Sequence, residues 1–278
     1  MSSPQSSKSS KRTADSFIAL DGRVSVVTGA SRGIGAAASL ELAKAGSAIA
    51  LLDIDEKLAT ETARSVAEQT GVATRAYALD VTDRAAIARA VTKIAADFGA
   101  IDHLVNNAGI QFISPLEAFP DEKWDLVRAI DLDGVFNMTK AVWPHLKARG
   151  RGRIVNLASV QGIIATEYKP AYVASKHGVI GLTQATALEG APIGTTANAV
   201  CPGAVLTDLV KSQAPDLARS YGNIGEEEAL KRAFLVNMPT QRFIMPEEIA
   251  QLITYLCTDA AKSITGAAIA IDGGWTAH

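Results

Sequence analysis

The sequence has no run of about eighteen apolar residues, the least that a membrane-crossing helix needs, so no membrane span is expected. Cysteine is scarce: Cys201 and Cys257 are the only two. They form neither a disulfide framework nor a zinc-ligand spacing. Both sit in apolar stretches and read as small core residues, which suits a reducing compartment such as the cytoplasm. His103, His145, His177 and His278 show no metal spacing, so no metal is expected. An excess of one charge is missing too, with 27 Lys and Arg against 29 Asp and Glu. A phosphate-tracking protein needs a basic face, so no nucleic-acid partner is expected. Residues 1–14, MSSPQSSKSSKRTA, hold no apolar segment. That argues against a secretory signal, and a transit peptide fits poorly because the stretch is not amphipathic. A flexible tail is the expectation.

What the chain does have is core material. Hydrophobic residues make up 48% of 278 positions, within range for one α/β domain. Short apolar bursts at 23–28, 48–53, 74–79, 101–106, 152–159, 196–201 and 267–272 read as buried parallel strands. Helical patterns lie between them, at about 33–45, 56–70, 83–98, 121–147, 170–190 and 246–258. Thr82 or Asp83 is the expected start of the third helix, and Gly99 its stop. Repeated β-α-β units demand a parallel sheet with helices on both faces. The expectation is a doubly wound Rossmann-type α/β fold, a single domain over 15–278. Residues 205–240 have no strand pattern and carry Pro215, Gly222, Gly225 and Pro239, which suggests a flap over a ligand crevice.

TGASRGIG, Thr28 to Gly35, joins the first strand to the first helix. Gly29, Gly33 and Gly35 are spaced for a tight turn whose helix-end amides can face a pyrophosphate. Ser31, Arg32 and Ile34 lie in the same turn. Asp53 ends the second strand, where a carboxylate can accept from both ribose hydroxyls and repel a 2′-phosphate. It can equally cap the next helix, as Asp55 can. Arg32 cuts the other way, since a guanidinium there can pair with a 2′-phosphate. Asp53 weighs more, so NAD is expected over NADP.

NNAG (106–109) closes the fourth strand and LAS (157–159) the fifth, at the edge where open parallel sheets bind ligands. Tyr172 follows Ser159 by thirteen residues, and Lys176 lies one helical turn further on. A tyrosine and a lysine at that spacing are common on any exposed helix face. The joint pattern is more specific. TGxxxGxG, NNAG, Ser-x12-Tyr-x3-Lys and CPG (201–203) resemble the short-chain dehydrogenase/reductase family from about residue 20 to the end.

The resemblance implies Tyr172 as general acid/base and Ser159 as a hydrogen-bond partner of the substrate oxygen. It implies Lys176 on the nicotinamide ribose, lowering the tyrosine pKa. A cation about 4 Å away, at an effective dielectric of about 20, contributes about 4 kcal/mol. That is roughly 3 pKa units, enough to bring a phenol of pKa near 10 close to neutrality. By the same resemblance Asn107, Ala108, Gly109, Pro202, Gly203, Val205 and Thr207 line the nicotinamide side, and Asp80 and Val81 the adenine. Asp131 stands where the family has an asparagine whose backbone carbonyl holds a water linked to the lysine. A carboxylate there would stabilise the Lys176 cation while working against a tyrosinate, and makes Asp131 a candidate proton-relay member.

Longer stretches, such as EYKPAYVASKHGVIG and ANAVCPGAVLTDLVKSQ, resemble the bacterial D-3-hydroxybutyrate dehydrogenase subfamily. That likeness implies a carboxylate held by Gln111, Lys169 and Gln213. Gln161 replaces a histidine and Ala204 a tryptophan, which implies a roomier pocket or compensation from elsewhere. The implied activity is NAD-dependent interconversion of a short 3-hydroxy acid and its 3-oxo acid by a cytoplasmic homotetramer. The rivals are a reductase of 3-oxoacyl thioesters or bulkier ketones, and a silent NAD-binding scaffold. The final DGGWTAH suits a subunit contact or an intrachain role equally.

Overall fold

The apolar bursts become strands: Val24–Thr28 (β1), Ala48–Asp53 (β2), Thr74–Ala78 (β3), His103–Asn106 (β4), Arg153–Leu157 (β5), Thr196–Pro202 (β6) and Ala268–Ile271 (β7). The computed structural model describes residues 18–211 and 214–277, apart from the side chains of Leu209, Asp216 and Ser220. The expected tail over 1–14, together with Gln213 and His278, lies outside the described residues. The strands form one parallel sheet in the order β3-β2-β1-β4-β5-β6-β7. β1, β4, β5 and β6 are buried along their whole length, which is why they read as unbroken apolar runs.

Ten helical segments follow in chain order among the described residues: Gly33–Lys44 (α1), Glu56–Thr70 (α2), Arg84–Phe98 (α3), Asp121–Arg128 (α4), Gly134–Arg149 (α5), Pro170–Gly190 (α6), Asp208–Lys211 (α7), Ala214–Ser220 (α8), Glu226–Leu230 (α9) and Pro246–Cys257 (α10). Neighbouring strand residues point to opposite faces. Val27, Leu51, Val105 and Val155 therefore pack with Leu42 of α1, Val66 of α2 and Ile253 of α10. Their neighbours Val26, Leu52, Leu104 and Ile154 pack with Ile94 of α3 and Met138 of α5. Asp83 caps α3 through the amides of Ala85 and Ala86, and Gly99 ends it in the left-handed region, as expected.

One expectation needs correction. The single helix over 121–147 is split: a π turn at Ala129–Asp133 separates α4 from α5. The extra residue of an i→i+5 turn breaks the 3.6-residue phase, and such turns cluster at functional sites. The segment 205–240 forms no strand among its described residues beyond a single bridge from Val205 to Ile244. It holds α7, α8, α9 and a second π turn at Lys231–Leu235, all too short for their periodicity to register. Strand order reverses between β1 and β4, which opens a crevice at their carboxyl ends.

Candidate active site

That crevice has a volume of about 770 Å³. Its floor starts at the glycine turn. Gly29 and Gly33 hold φ of 60° and 55°, a region that favours glycine. A Cβ on Gly29 would sit 2.9 Å from the Ala108 Cα, and one on Gly35 would collide with the Gly29 carbonyl oxygen. Backbone therefore packs on backbone. Asn107 locks the two strand ends together: its Nδ2 donates to the carbonyls of Thr28 at 3.0 Å and Gly29 at 2.9 Å. Thr28 Oγ1 accepts from the amides of Asn107 at 3.0 Å and Ala108 at 3.1 Å.

Asp53 lines the crevice and accepts from Ser31 N at 3.0 Å and Asp55 N at 3.1 Å. It thus fixes the turn as well as facing the ligand space, while Asp55 takes the cap of α2. Arg32 lines the same space, is exposed, and forms no ion pair with Asp53 among the described residues. Ser31 Oγ is buried without a hydrogen-bond partner, an orphan of the kind a bound ligand satisfies. Val81 and Asp80 lie at the far end, with Asp80 Oδ1 accepting from Thr82 N and Oγ1, each at 2.8 Å.

The opposite wall is built from side chains. Ser159 caps the short turn at Val160–Gly162, and its Oγ accepts from Gln161 N at 3.1 Å. A Cβ on Gly162 would sit 2.7 Å from the Lys176 carbonyl oxygen, so this turn rests directly on the α6 backbone. That contact brings Ser159 to Tyr172. Pro170, with no N–H to lose, starts α6. Tyr172 and Lys176 share one face, and the lysine Nζ lies 5.3 Å from the ring centroid. Lys176 Nζ donates to Leu157 O at 2.9 Å and pairs with Asp131 Oδ2 at 3.2 Å. Asp131 Oδ1 accepts from Ile110 N at 2.8 Å.

Lys176 lowers the Tyr172 pKa as expected, but burial outweighs it. Burial pushes the Tyr172 phenol above its ordinary pKa; Lys176 and Ser159 pull it down, and Asp131 pushes it up again. Lys176 is not a lone cation, because a buried carboxylate stands beside it. Burial opposes the Lys176 cation, but Asp131 and the phenol overcome it and raise its pKa. Burial raises Asp131 above the usual carboxylate range, with Lys176 and the Ile110 amide only partly offsetting it.

Of the expected substrate residues, Gln111, Gln161, Lys169 and Ala204 line the crevice with Ser159 and Tyr172. Gln161 Nε2 donates to Thr166 Oγ1 at 3.0 Å, and its buried Oε1 has no partner. Lys169 is half-buried with no counter-charge among the described residues, and burial lowers its pKa. The nicotinamide-side residues Asn107, Ala108, Gly109, Pro202, Gly203, Val205 and Thr207 line the space, as do Gly29, Gly33, Ile34 and Asp131. Ser31 and Gly35 lie behind this surface and shape it.

Sequence reasoning missed Trp275 and Phe234, which also line the crevice. Asp272 could have signalled the first. Its Oδ1 accepts from Gly274 N at 3.0 Å and its Oδ2 from Thr276 N at 2.8 Å, turning the chain so that Trp275 folds back on the crevice. Phe234 gave no signal, since it sits in the second π turn.

The profile of a family described as enoyl-(acyl carrier protein) reductase matches residues 29–276. The chain is 42% identical to D-beta-hydroxybutyrate dehydrogenase of Rhizobium meliloti over 92% of its length and 99% of the relative's. It is 37% identical to acetoacetyl-CoA reductase of Shinella zoogloeoides, over 91% of its own length and 98% of that protein's. Levodione reductase superposes with a TM-score of 0.87 at 33% identity, covering 93% of this chain and 99% of that one. With the glycine turn, the Ser159-Tyr172-Lys176 cluster and these likenesses in agreement, the chain belongs to the short-chain dehydrogenase/reductase family and is an oxidoreductase.

Proposed function

We propose that this enzyme interconverts D-3-hydroxybutyrate, or a close short 3-hydroxy acid, and its 3-oxo acid, with NAD as the hydride carrier. Lys169 carries the reading. A half-buried ammonium with no counter-charge among the described residues, on the rim of the Tyr172 pocket, favours an anionic substrate over a neutral alcohol. Gln111 and Gln161 add amides. The Thr166 hydroxyl can accept or donate, so the Gln161 amide can turn its NH₂ towards a carboxylate. Gln213 would complete the set.

The residues present suit a dinucleotide. Gly29, Ser31, Arg32, Gly33, Ile34 and Gly35 would hold the pyrophosphate, and Asp53 the adenine ribose. Asp80 and Val81 would flank the adenine. Asn107, Ala108, Gly109, Tyr172 and Lys176 would hold the nicotinamide ribose, and Pro202, Gly203, Val205 and Thr207 the carboxamide. When bound, oxidised nicotinamide takes up hydride and brings a positive charge near the phenol. In oxidation the Tyr172 phenolate would take the hydroxyl proton while Ser159 holds the substrate oxygen; in reduction the Tyr172 phenol would return it. Closure of 205–240, which supplies Val205, Thr207, Asp208, Val210 and Phe234 to the lining, would exclude water. The reading includes a cytoplasmic homotetramer, and the exposed Trp124, Leu126 and Phe136 on α4 and α5 suit a subunit contact.

A second reading rests on Ala204. Its small side chain leaves a roomier wall, which suits a bulkier ketone or a 3-oxoacyl thioester. A kinetic panel decides between them: NAD(H) and NADP(H) against D- and L-3-hydroxy acids of increasing length, neutral alcohols and acetoacetyl-CoA. The highest kcat/KM is expected for NAD with the D four-carbon acid. Higher values for NADPH with the thioester would overturn the reading.

A further inference from the structure

Asp131 carries a charge that its hydrogen bonding does not require. A neutral amide could accept from Ile110 N equally well. What the carboxylate adds, when ionised against the Lys176 ammonium 3.2 Å away, is a negative charge at a site that is 0% exposed; burial opposes that charge and Lys176 favours it. The pair is closed in. A Cβ on Gly109 would sit 3.1 Å from Asp131 Oδ2 and 3.4 Å from Lys176 Nζ. Opposite charges so placed partly offset one another's field on a third group, and at this burial solvent screens them weakly.

The groups facing the Tyr172 phenol are few. Lys176 comes from its own helix, Asp131 from the π turn, Ser159 from the end of β5 and Cys201 from β6. Ser159 does not titrate, and burial pushes the Cys201 thiol up to about 11, so it stays neutral. Lys169, at the start of the same helix, lines the same crevice and is assigned to the substrate. Beside the phenol this leaves one positive and one negative charge.

We propose that Asp131 is a positioning residue that offsets part of the Lys176 charge at the point of proton transfer and so, together with burial of the ring, keeps Tyr172 a phenol at neutral pH. The enzyme is thereby set for ketone reduction near neutrality and for alcohol oxidation in alkaline solution. Reduction needs the phenol, and its kcat/KM is flat below the tyrosine midpoint. Oxidation needs the phenolate, so its kcat/KM climbs with pH up to that midpoint.

This inference rests on Tyr172 as the proton-transfer group, which a Tyr172→Phe variant tests separately by its turnover. The test of the inference is Asp131→Asn, which keeps the shape and the bond from Ile110 N. Oxidative and reductive kcat/KM are measured against pH, and the tyrosinate absorbance of the NAD-bound enzyme is titrated with Tyr172→Phe as blank. The midpoint should fall by at least about one pH unit, raising oxidative kcat/KM at pH 7 about tenfold. An unmoved midpoint with activity retained would overturn the inference. So would weakened NADH binding with an unmoved midpoint, because Asp131 would then only hold Lys176 in place. Should the variant turn over too slowly for kinetics, the absorbance midpoint decides alone.

Discussion

The two walls of the crevice are built by different means. The dinucleotide wall is backbone: glycines in close contact, strand ends tied by Asn107, and a carboxylate bonded to turn amides. The substrate wall is side chains brought from β5, α6, the 205–240 segment and the C-terminal turn. Backbone contacts leave little room for change. Side chains from separate elements can vary one at a time, and here Gln161, Ala204 and Asp131 all depart from the pattern the sequence resembles.

The largest effect should come from breaking the backbone wall. Gly35→Val puts a branched side chain against the Gly29 carbonyl. NADH binding, followed by fluorescence titration, should be abolished in any folded protein obtained. Retained affinity would show that the turn yields where the contacts say it cannot. Next is Lys169→Met. Losing a charge-assisted contact to a substrate carboxylate costs about 2–5 kcal/mol, so kcat/KM for 3-hydroxybutyrate should fall roughly 30-fold or more. NADH affinity should hold. An equal loss with a neutral alcohol would mean that Lys169 supports the fold and not the anion. The smallest effect is expected of Ala204→Trp. With Trp275 and Phe234 already on that wall, added bulk should shift chain-length preference towards four carbons by no more than about tenfold. A neutral result would mean that those rings already close the pocket.

The same contrast explains what the sequence revealed. The sheet, the glycine turn and NNAG were legible because period, turn residues and chain-neighbour spacing all lie within short windows. Ser159, Tyr172 and Lys176 were legible as a spaced motif. The opposition of Asp131 to a tyrosinate was legible through the resemblance, but the burial that outweighs Lys176 was not. The Tyr172 pKa depends on that burial and on Asp131, 41 residues earlier in the chain, held inward by a π turn that no helical period announces. Trp275 was missed because it reaches the crevice by a turn after the last strand.

Tyr172 is where the account is most directly exposed. Tyr172→Phe removes one oxygen and leaves the ring under Lys176. With NAD and 3-hydroxybutyrate at saturation, NADH absorbance should report hydride transfer slowed at least about 100-fold. Transfer within a few-fold of the native rate would contradict the assignment of proton transfer to that phenol.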